Sequence, residues 1–421
     1  MAALRGLLLV LLFTTPVWAA SGTRVTAIDI EGLERTQQRT VLRQLPFAVG
    51  DAWQSSFEET GERWLRNLGL FSEVDIRPPD AQGRVRIRVH ERWSLWLLPT
   101  ATRKDNGASS AGLTLDEYNL WGLQHHLRLA YQEDTGTNFT RANGSSYDLR
   151  YDWTRVNDSN FGLSFSSHWG RNIFDAYRNG VLTSQYIQDG RSIALGFSYA
   201  LGEVPGEGWG IAAGLAGSTS SYTLISGPAQ PDVRGSRRRT LSFGLNYRQV
   251  DDRIVWFSGS AFDYSLSATA KAFGSTLNVY RQTLSARTYV PLRHQHTINL
   301  RLDLGHAFGE VLRDGLFDLG HRNGLRGYFP GEVQGRAYAL GSLEGRFMLY
   351  PDANFQIAAF SDMGYVAGRD STVTGRNFYA GAGVGFRWTL RWLVNGTIRG
   401  DAAYGFATRR WRFYIGTGQA F

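Results

Sequence analysis

The feature that most constrains this chain is a strand pattern with charges inside it. Tyr147-Asp-Leu-Arg-Tyr-Asp-Trp153 sets Tyr, Leu, Tyr and Trp on one face and Asp, Arg and Asp on the other, because successive side chains of a strand point to opposite sides. Ile298-Asn-Leu-Arg-Leu-Asp-Leu304 and Leu241-Ser-Phe-Gly-Leu-Asn-Tyr247 repeat the pattern. Such segments run from Trp93 to Phe421, separated by Gly, Asn, Asp and Ser, and sixteen of them can be counted. An arginine facing lipid at mid-bilayer costs a barrel roughly 2–4 kcal/mol. The charged faces must therefore line a lumen if the apolar faces meet a membrane; in a soluble sandwich the apolar faces would turn inward instead. An even strand number fits a bacterial membrane barrel. Aromatic residues at 13% and 49 glycines suit strands joined by tight turns.

The N-terminus favours the membrane reading. Arg5, an apolar run from Gly6 to Pro16 and then Val17-Trp18-Ala19 form a basic, apolar and small-residue series. This is the pattern of a secretory signal peptide, expected over residues 1–20. The run is shorter than the roughly 20 apolar residues of a membrane-spanning helix. The chain has no cysteine, so an exported protein of this sequence rests on burial and hydrogen bonding rather than on disulfides.

Of 45 basic residues only Lys104 and Lys271 are lysine, and the formal charge is +8. Arginine suits planar pairing with carboxylates better than lysine does, and the basic residues are scattered among acids rather than clustered, which argues against nucleic acid. No Gly-x-Ser-x-Gly elbow or P-loop is present. His125 and His126 are neighbours in a strand and face opposite ways. The expectation is a protein that is not an enzyme and uses no cofactor and no metal.

Residues 23–92 follow a different order. Val25–Ile30 alternates as a strand, and a short helix is expected between Thr36 and Leu45. Ser56 with Glu59 forms a capping-box signature before a helix carrying Phe57, Trp64 and Leu68 on one face. Strands follow near Glu73–Arg77 and Arg84–Val89. A β-α-α-β-β sheet of this size leaves an edge that can accept an extended peptide by backbone pairing. With Ile-x-Gly-Leu, Leu-Gly-Leu-Phe-Ser-Glu-Val and the closing Val89-His-Glu91, the segment resembles a POTRA domain.

The longest connection, about 309–336, falls between the eleventh and twelfth strands and holds Gly324-Leu-Arg-Gly-Tyr328. Leu343-Glu-Gly-Arg346 and Phe360-Ser-Asp-Met-Gly364 follow it. Alternation sets Glu344 and Arg346 on one face of the twelfth strand, and Phe360, Asp362 and Gly364 on one face of the thirteenth. Arg-Gly-Tyr, then Glu-x-Arg and Phe-x-Asp-x-Gly, resembles the BamA/TamA/FhaC family of outer-membrane transport barrels.

That resemblance implies a 16-stranded antiparallel outer-membrane β-barrel over 93–421, behind one small α+β periplasmic domain. It implies a loop folded into the lumen, with Arg326 gripped by Asp362, helped by Glu344. Gly327 would let the tip pack closely, Tyr328 would anchor it, and Gly364 would leave room beside Asp362. The final strand, with Phe413, Ile415, Gly418 and Phe421, resembles the signal read by barrel-assembly machinery. Pro99 in the first strand and Gly416 in the last are candidates for a lateral seam.

The implied function is insertion or translocation of other proteins. The expected partners are unfolded outer-membrane or secreted clients, outer-membrane lipids, and periplasmic chaperones or accessory subunits. The alternatives are a passive porin and the transporter barrel of a patatin-like or two-partner secretion system.

Overall fold

Two sheets account for nearly all the regular structure. The computed structural model describes residues 23–103, 109–135, 143–178, 181–321, 324–368 and 377–418; the expected signal peptide over 1–20 and Phe421 lie outside them.

The N-terminal sheet holds β1 (Ala27–Glu31), β2 (Phe71–Arg77) and β3 (Arg84–Glu91), ordered β1-β3-β2, with β1 parallel and β2 antiparallel to β3. On β3 the alternation is complete: Val85, Ile87 and Val89 are buried while the arginines between them are exposed. Helices α1 (Gln38–Leu42) and α2 (Ser56–Asn67) cover this apolar face through Val41 and Leu65. Trp64 is buried, and Phe57 and Leu68 pack against the core. The capping box does not form. Helix α2 starts one residue earlier than the box needs, so Ser55 is the N-cap, and it makes no side-chain capping bond.

The second sheet has sixteen strands, every neighbouring pair antiparallel. Its first eleven are β4 (Leu95–Arg103), β5 (Ser109–Leu120), β6 (His125–Thr135), β7 (Asn143–Trp153), β8 (Phe161–Arg178), β9 (Val181–Ala200), β10 (Gly208–Ser226), β11 (Ser236–Asp252), β12 (Phe257–Thr269), β13 (Val279–Pro291) and β14 (Thr297–Gly309). The connection that follows contains a two-residue ladder, β15 (Phe317–Asp318) with β16 (Gln334–Gly335). The wall resumes with β17 (Ala337–Tyr350), β18 (Phe355–Ala367), β19 (Phe378–Thr389), β20 (Thr397–Gly405) and β21 (Arg410–Thr417).

The inside-out pattern separates a membrane barrel from a sandwich. On β14 Leu300 and Leu302 are 45% and 46% exposed, while Asn299, which precedes them on the opposite face, is 1% exposed. The apolar row faces outward and the polar row is enclosed, which suits lipid outside the wall.

The sheet ends at β4 and β21, and among the described residues no ladder joins them. These edges are short, nine and eight residues, against 18, 20 and 19 for β8, β9 and β10. Pro99 lies on β4 in regular register with Leu113; its missing N–H is tolerated because β4 is an edge. Gly416 lies on β21, opposite Arg399 of β20.

The two ends are instead tied by the turn between β19 and β20. The Trp93 N–H donates to the Trp392 carbonyl (2.6 Å), the Val394 N–H to the Trp93 carbonyl (2.9 Å) and the Trp96 indole N–H to the Val394 carbonyl (2.7 Å). Arg92 donates to the carbonyls of Gly69, Arg391 and Leu393. Burial pushes its guanidinium down to about 10, still charged at neutral pH. Val394 itself is buried in the core of the N-terminal domain.

That domain sits across the same end of the barrel. Thr40 donates to the Gly122 carbonyl (2.8 Å), Arg43 pairs with Asp158 (2.7 Å), and Asn67 donates to the Val250 carbonyl (2.7 Å). Helices α1 and α2 thus rest on the turns after β5 and β7 and on the end of β11.

Candidate functional site: the loop tip in the lumen

The connection that leaves β14 at the end far from the N-terminal domain folds back into the lumen, as its described residues 310–321 and 324–336 show. Leu319, Leu325, Tyr328 and Val333 form an apolar knot packed against Leu340, Val366 and Tyr379 of the wall. Burying this knot brings Arg326 to a depth where only 2% of it is exposed.

The wall meets that guanidinium with carboxylates from adjacent strands. Arg326 donates to Asp362 from Nε (2.7 Å) and Nη2 (3.0 Å), a two-pronged contact, and its backbone N–H reaches the same carboxylate (3.1 Å). Its Nη1 donates to Glu344 (2.6 Å). The Phe360 ring lies 3.4 Å from the guanidinium carbon, a cation–π contact. Burial opposes this charge, but the hydrogen bonds and charge of Asp362, then those of Glu344, outweigh it and hold Arg326 above the ordinary arginine pKa.

Glu344 is the hub. It is fully buried and accepts from Arg326, from Arg346 (2.7 Å) and from Arg387 of β19 (2.8 Å). Arg387 also donates to Asp401 of β20 (2.7 Å). Arg399 of β20 adds a longer contact to Asp401 (3.9 Å), so four guanidiniums and three carboxylates meet inside the lumen, spanning β17 to β20. Two-pronged, charge-assisted bonds of this kind fix geometry as well as supply energy.

The terminal strand is held by the same loop. Tyr414 of β21 accepts the Gly327 N–H (3.1 Å) and donates to the Tyr328 carbonyl (3.0 Å). Arg412 pairs with Glu332 (3.3 Å) and lies over Phe329. The Tyr328 hydroxyl donates to the Ala380 carbonyl (2.8 Å) and accepts the Ala407 N–H (3.1 Å).

Two glycine contacts make the approach feasible. Gly327 has φ +97°, and a Cβ there would lie 2.7 Å from the Gly405 nitrogen. A Cβ on Gly381 would lie 2.2 Å from the Arg326 carbonyl oxygen. Gly327→Val is expected to expel the tip while leaving the barrel folded, since Val is strained at positive φ and also clashes. Proteinase K cleavage within 310–336, alongside unchanged heat-modifiable migration, would register this; a loop as resistant as the parent's would refute it.

The structure brings Arg326, Gly327, Tyr328, Glu344, Arg346, Phe360 and Asp362 into one constellation. Gly364 lies on the same wall, but the room it leaves is taken by Leu319 and Leu325 of the loop, at 3.0 and 3.3 Å from a Cβ built there, rather than by Asp362's surroundings. Phe413 and Ile415 point outward at 77% and 81% exposure, away from the constellation. Gly418 has φ +82° past the end of β21. Sequence reasoning missed Arg387, Asp401, Arg412 and Tyr414. Their lumen-facing parity was readable, but the barrel stagger that brings them to Glu344 and the tip was not.

Comparison with known proteins agrees with this architecture. The Omp85 superfamily domain matches residues 119–421, and the repeat described as surface antigen variable number repeat (POTRA) matches 23–92. Outer membrane protein assembly factor BamA of Neorickettsia risticii (strain Illinois) is 28% identical over 145 residues, which is 32% of this chain and only 18% of that relative. Among solved structures, CdiB from Escherichia coli superposes with a TM-score of 0.64 at 14% identity, covering 94% of this chain and 74% of that one. CdiB from Acinetobacter baumannii gives 0.60 at 17%, covering 93% and 73%. BamA from Haemophilus ducreyi lacking POTRA domains 1–3 gives 0.53 at 18%, covering 94% and 83%. At these identities the likeness shows the fold alone. With the barrel model matching most of its length and one repeat in front, the chain belongs to the Omp85 superfamily.

Proposed function

We propose that the protein sits in the bacterial outer membrane, with its N-terminal domain in the periplasm, and inserts or translocates other proteins. The observation that carries this reading is the junction between β4 and β21, unpaired among the described residues, next to a terminal strand fixed from inside by the loop tip. An unpaired edge in a membrane wall is costly unless something completes it. An extended client segment is such a completion. The Arg326–Asp362–Glu344 contacts act as a lock, keeping β17–β21 in place while the junction opens. The tie from Trp93 to the β19–β20 turn keeps the periplasmic rim together meanwhile.

Clients first meet the N-terminal sheet. Its β2 edge is partly occupied, since Glu62 accepts the Ile76 N–H and Arg391 donates to the Ser72 carbonyl. The β1 edge pairs with nothing else among the described residues, which leaves it open to strand addition, a mode that needs little sequence specificity. Outer membrane protein assembly is the activity in the printed name of the BamA relative, and assembly rather than passive diffusion suits a lumen filled by a locked loop.

The test is folding of urea-unfolded outer-membrane proteins into liposomes carrying the purified full chain, read by protease protection against empty liposomes. Faster folding supports insertion. Equal rates would rule out autonomous insertion and leave translocation.

A further inference from the structure

The outward wall carries a charge pattern that the lock does not use. Arg237, Arg238 and Arg239 are consecutive on β11. Arg238 turns inward and pairs with Asp314 of the loop at 2.6 Å. Arg237 and Arg239 therefore point outward with Leu241 and Phe243, which are 43% and 49% exposed to the membrane side. On β9, Arg191 shares its outward face with Ile193 and Leu195. Neither Arg191 nor Arg239 has a carboxylate partner among the described residues. The nearest outward acid along β9, Asp189, is taken by Arg171 at 3.0 Å.

These arginines sit where lipid headgroups lie. Tyr131, Tyr147 and Trp169 are successive cross-strand partners, with ring centroids 5.2 and 6.0 Å apart, and Arg191 is the next partner in that row. Aromatic rows of this kind mark the membrane–water boundary of a barrel. At the domain end of the same wall, Trp209 and Tyr247 pair at 5.0 Å. From Tyr247 to Arg239 is eight residues, or about 27 Å along the strand, which a tilt of roughly 35–45° makes about 20 Å of height, close to an apolar band about 25 Å tall. Arg191 and Arg239 thus stand at the distal edge of the band, in the leaflet away from the N-terminal domain.

Between them lies an outward groove of about 740 Å³, and none of its lining residues is acidic. Gly217 forms part of its floor; a Cβ there would come within 3.3 Å of Arg239 Nη1, so glycine lets that side chain lie flat across the groove. Below it the wall continues as Ile193, Leu215 and Leu241. The ligand must therefore be anionic at one end and hydrocarbon at the other.

We propose that this groove binds a phosphate-bearing lipid of the distal leaflet. Arg191 and Arg239 hold the headgroup, Trp169 packs beside it, and acyl chains run down Ile193, Leu215 and Leu241. Guanidiniums suit this role because their forked donors match phosphate oxygens. The site lies on the wall remote from the β4–β21 junction, so a bound lipid fixes the tall side of the barrel in the membrane while the short side is free to part. It goes beyond the insertion reading and shares with it only the placement in the membrane.

The test is native mass spectrometry of the full chain in detergent, titrated with phosphatidic acid or with phosphatidylcholine of the same chains. Phosphatidic acid should bind the parent well above phosphatidylcholine. R191Q/R239Q should weaken that binding roughly thirtyfold, the size expected for two basic residues beside anionic lipid. R191K/R239K, which keeps both charges, should retain most of it, and this guards against a folding artefact, as does heat-modifiable migration of each variant. Unchanged binding in R191Q/R239Q would overturn the site. Competition by inorganic phosphate as effective as that by lipid would overturn the lipid assignment.

Discussion

Replacing Arg326 by alanine is expected to free the inward loop while leaving the barrel folded. The substitution leaves Asp362 buried without its two-pronged partner, and removing one member of such a pair typically costs about 3–5 kcal/mol. The wall survives because Glu344 keeps Arg346 and Arg387, and Arg387 keeps Asp401. In proteinase K digestion the loop should become cleavable, and acceleration of client folding in liposomes should fall. Arg326→Lys should be intermediate, since an ammonium keeps the charge but cannot bridge Asp362 and Glu344 in one plane. A loop in the alanine variant as resistant as the parent's would show that the apolar knot alone holds it, and the lock would have to be abandoned.

Glu344→Gln should cost more, because it damages wall and loop together. Three guanidiniums converge on this carboxylate, and an amide leaves them facing each other in a fully buried site. The loss should exceed that of a single broken pair, about 3–5 kcal/mol, and appear as a lower urea midpoint in micelles. Combining it with Arg326→Ala removes one of the three charges, so the double variant should be less destabilised than the sum of the two. Residues sharing one ion network couple in this way. Strict additivity would mean that Glu344 and Arg326 do not act as one unit.

How far the sequence reaches is clear from particular residues. Strand number and loop position were legible because alternation is local and turns are marked by Gly, Asn and Asp. Glu344 and Asp362 could be set on one face because a strand has a side-chain period of two. Arg387, Asp401 and Tyr414 share that parity, but their meeting with Glu344 and the loop tip depends on the stagger of β19–β21 and on how deep the loop sinks, neither of which a local pattern encodes. The Ser56 box failed for a smaller reason: a one-residue shift in the helix start moves the capping position to Ser55, whose backbone is already helical. The seating of the N-terminal domain was invisible, since it rests on turns scattered through the whole barrel.

Val394 gives that seating a consequence in time. The N-terminal domain is the first part of the chain to be made, yet one residue of its hydrophobic core arrives more than three hundred positions later. Until β19 and β20 have formed and their turn has swung beneath the rim, the domain carries an unfilled hole. Its solidity therefore reports on completion of the barrel, and in the proposed periplasmic location a stalled precursor would display itself to proteases at its front end. Val394→Asp should uncouple the two events, giving a barrel of normal heat-modifiable migration whose N-terminal domain is clipped as readily as that of a half-built chain; a domain as resistant as the parent's would show that it matures alone.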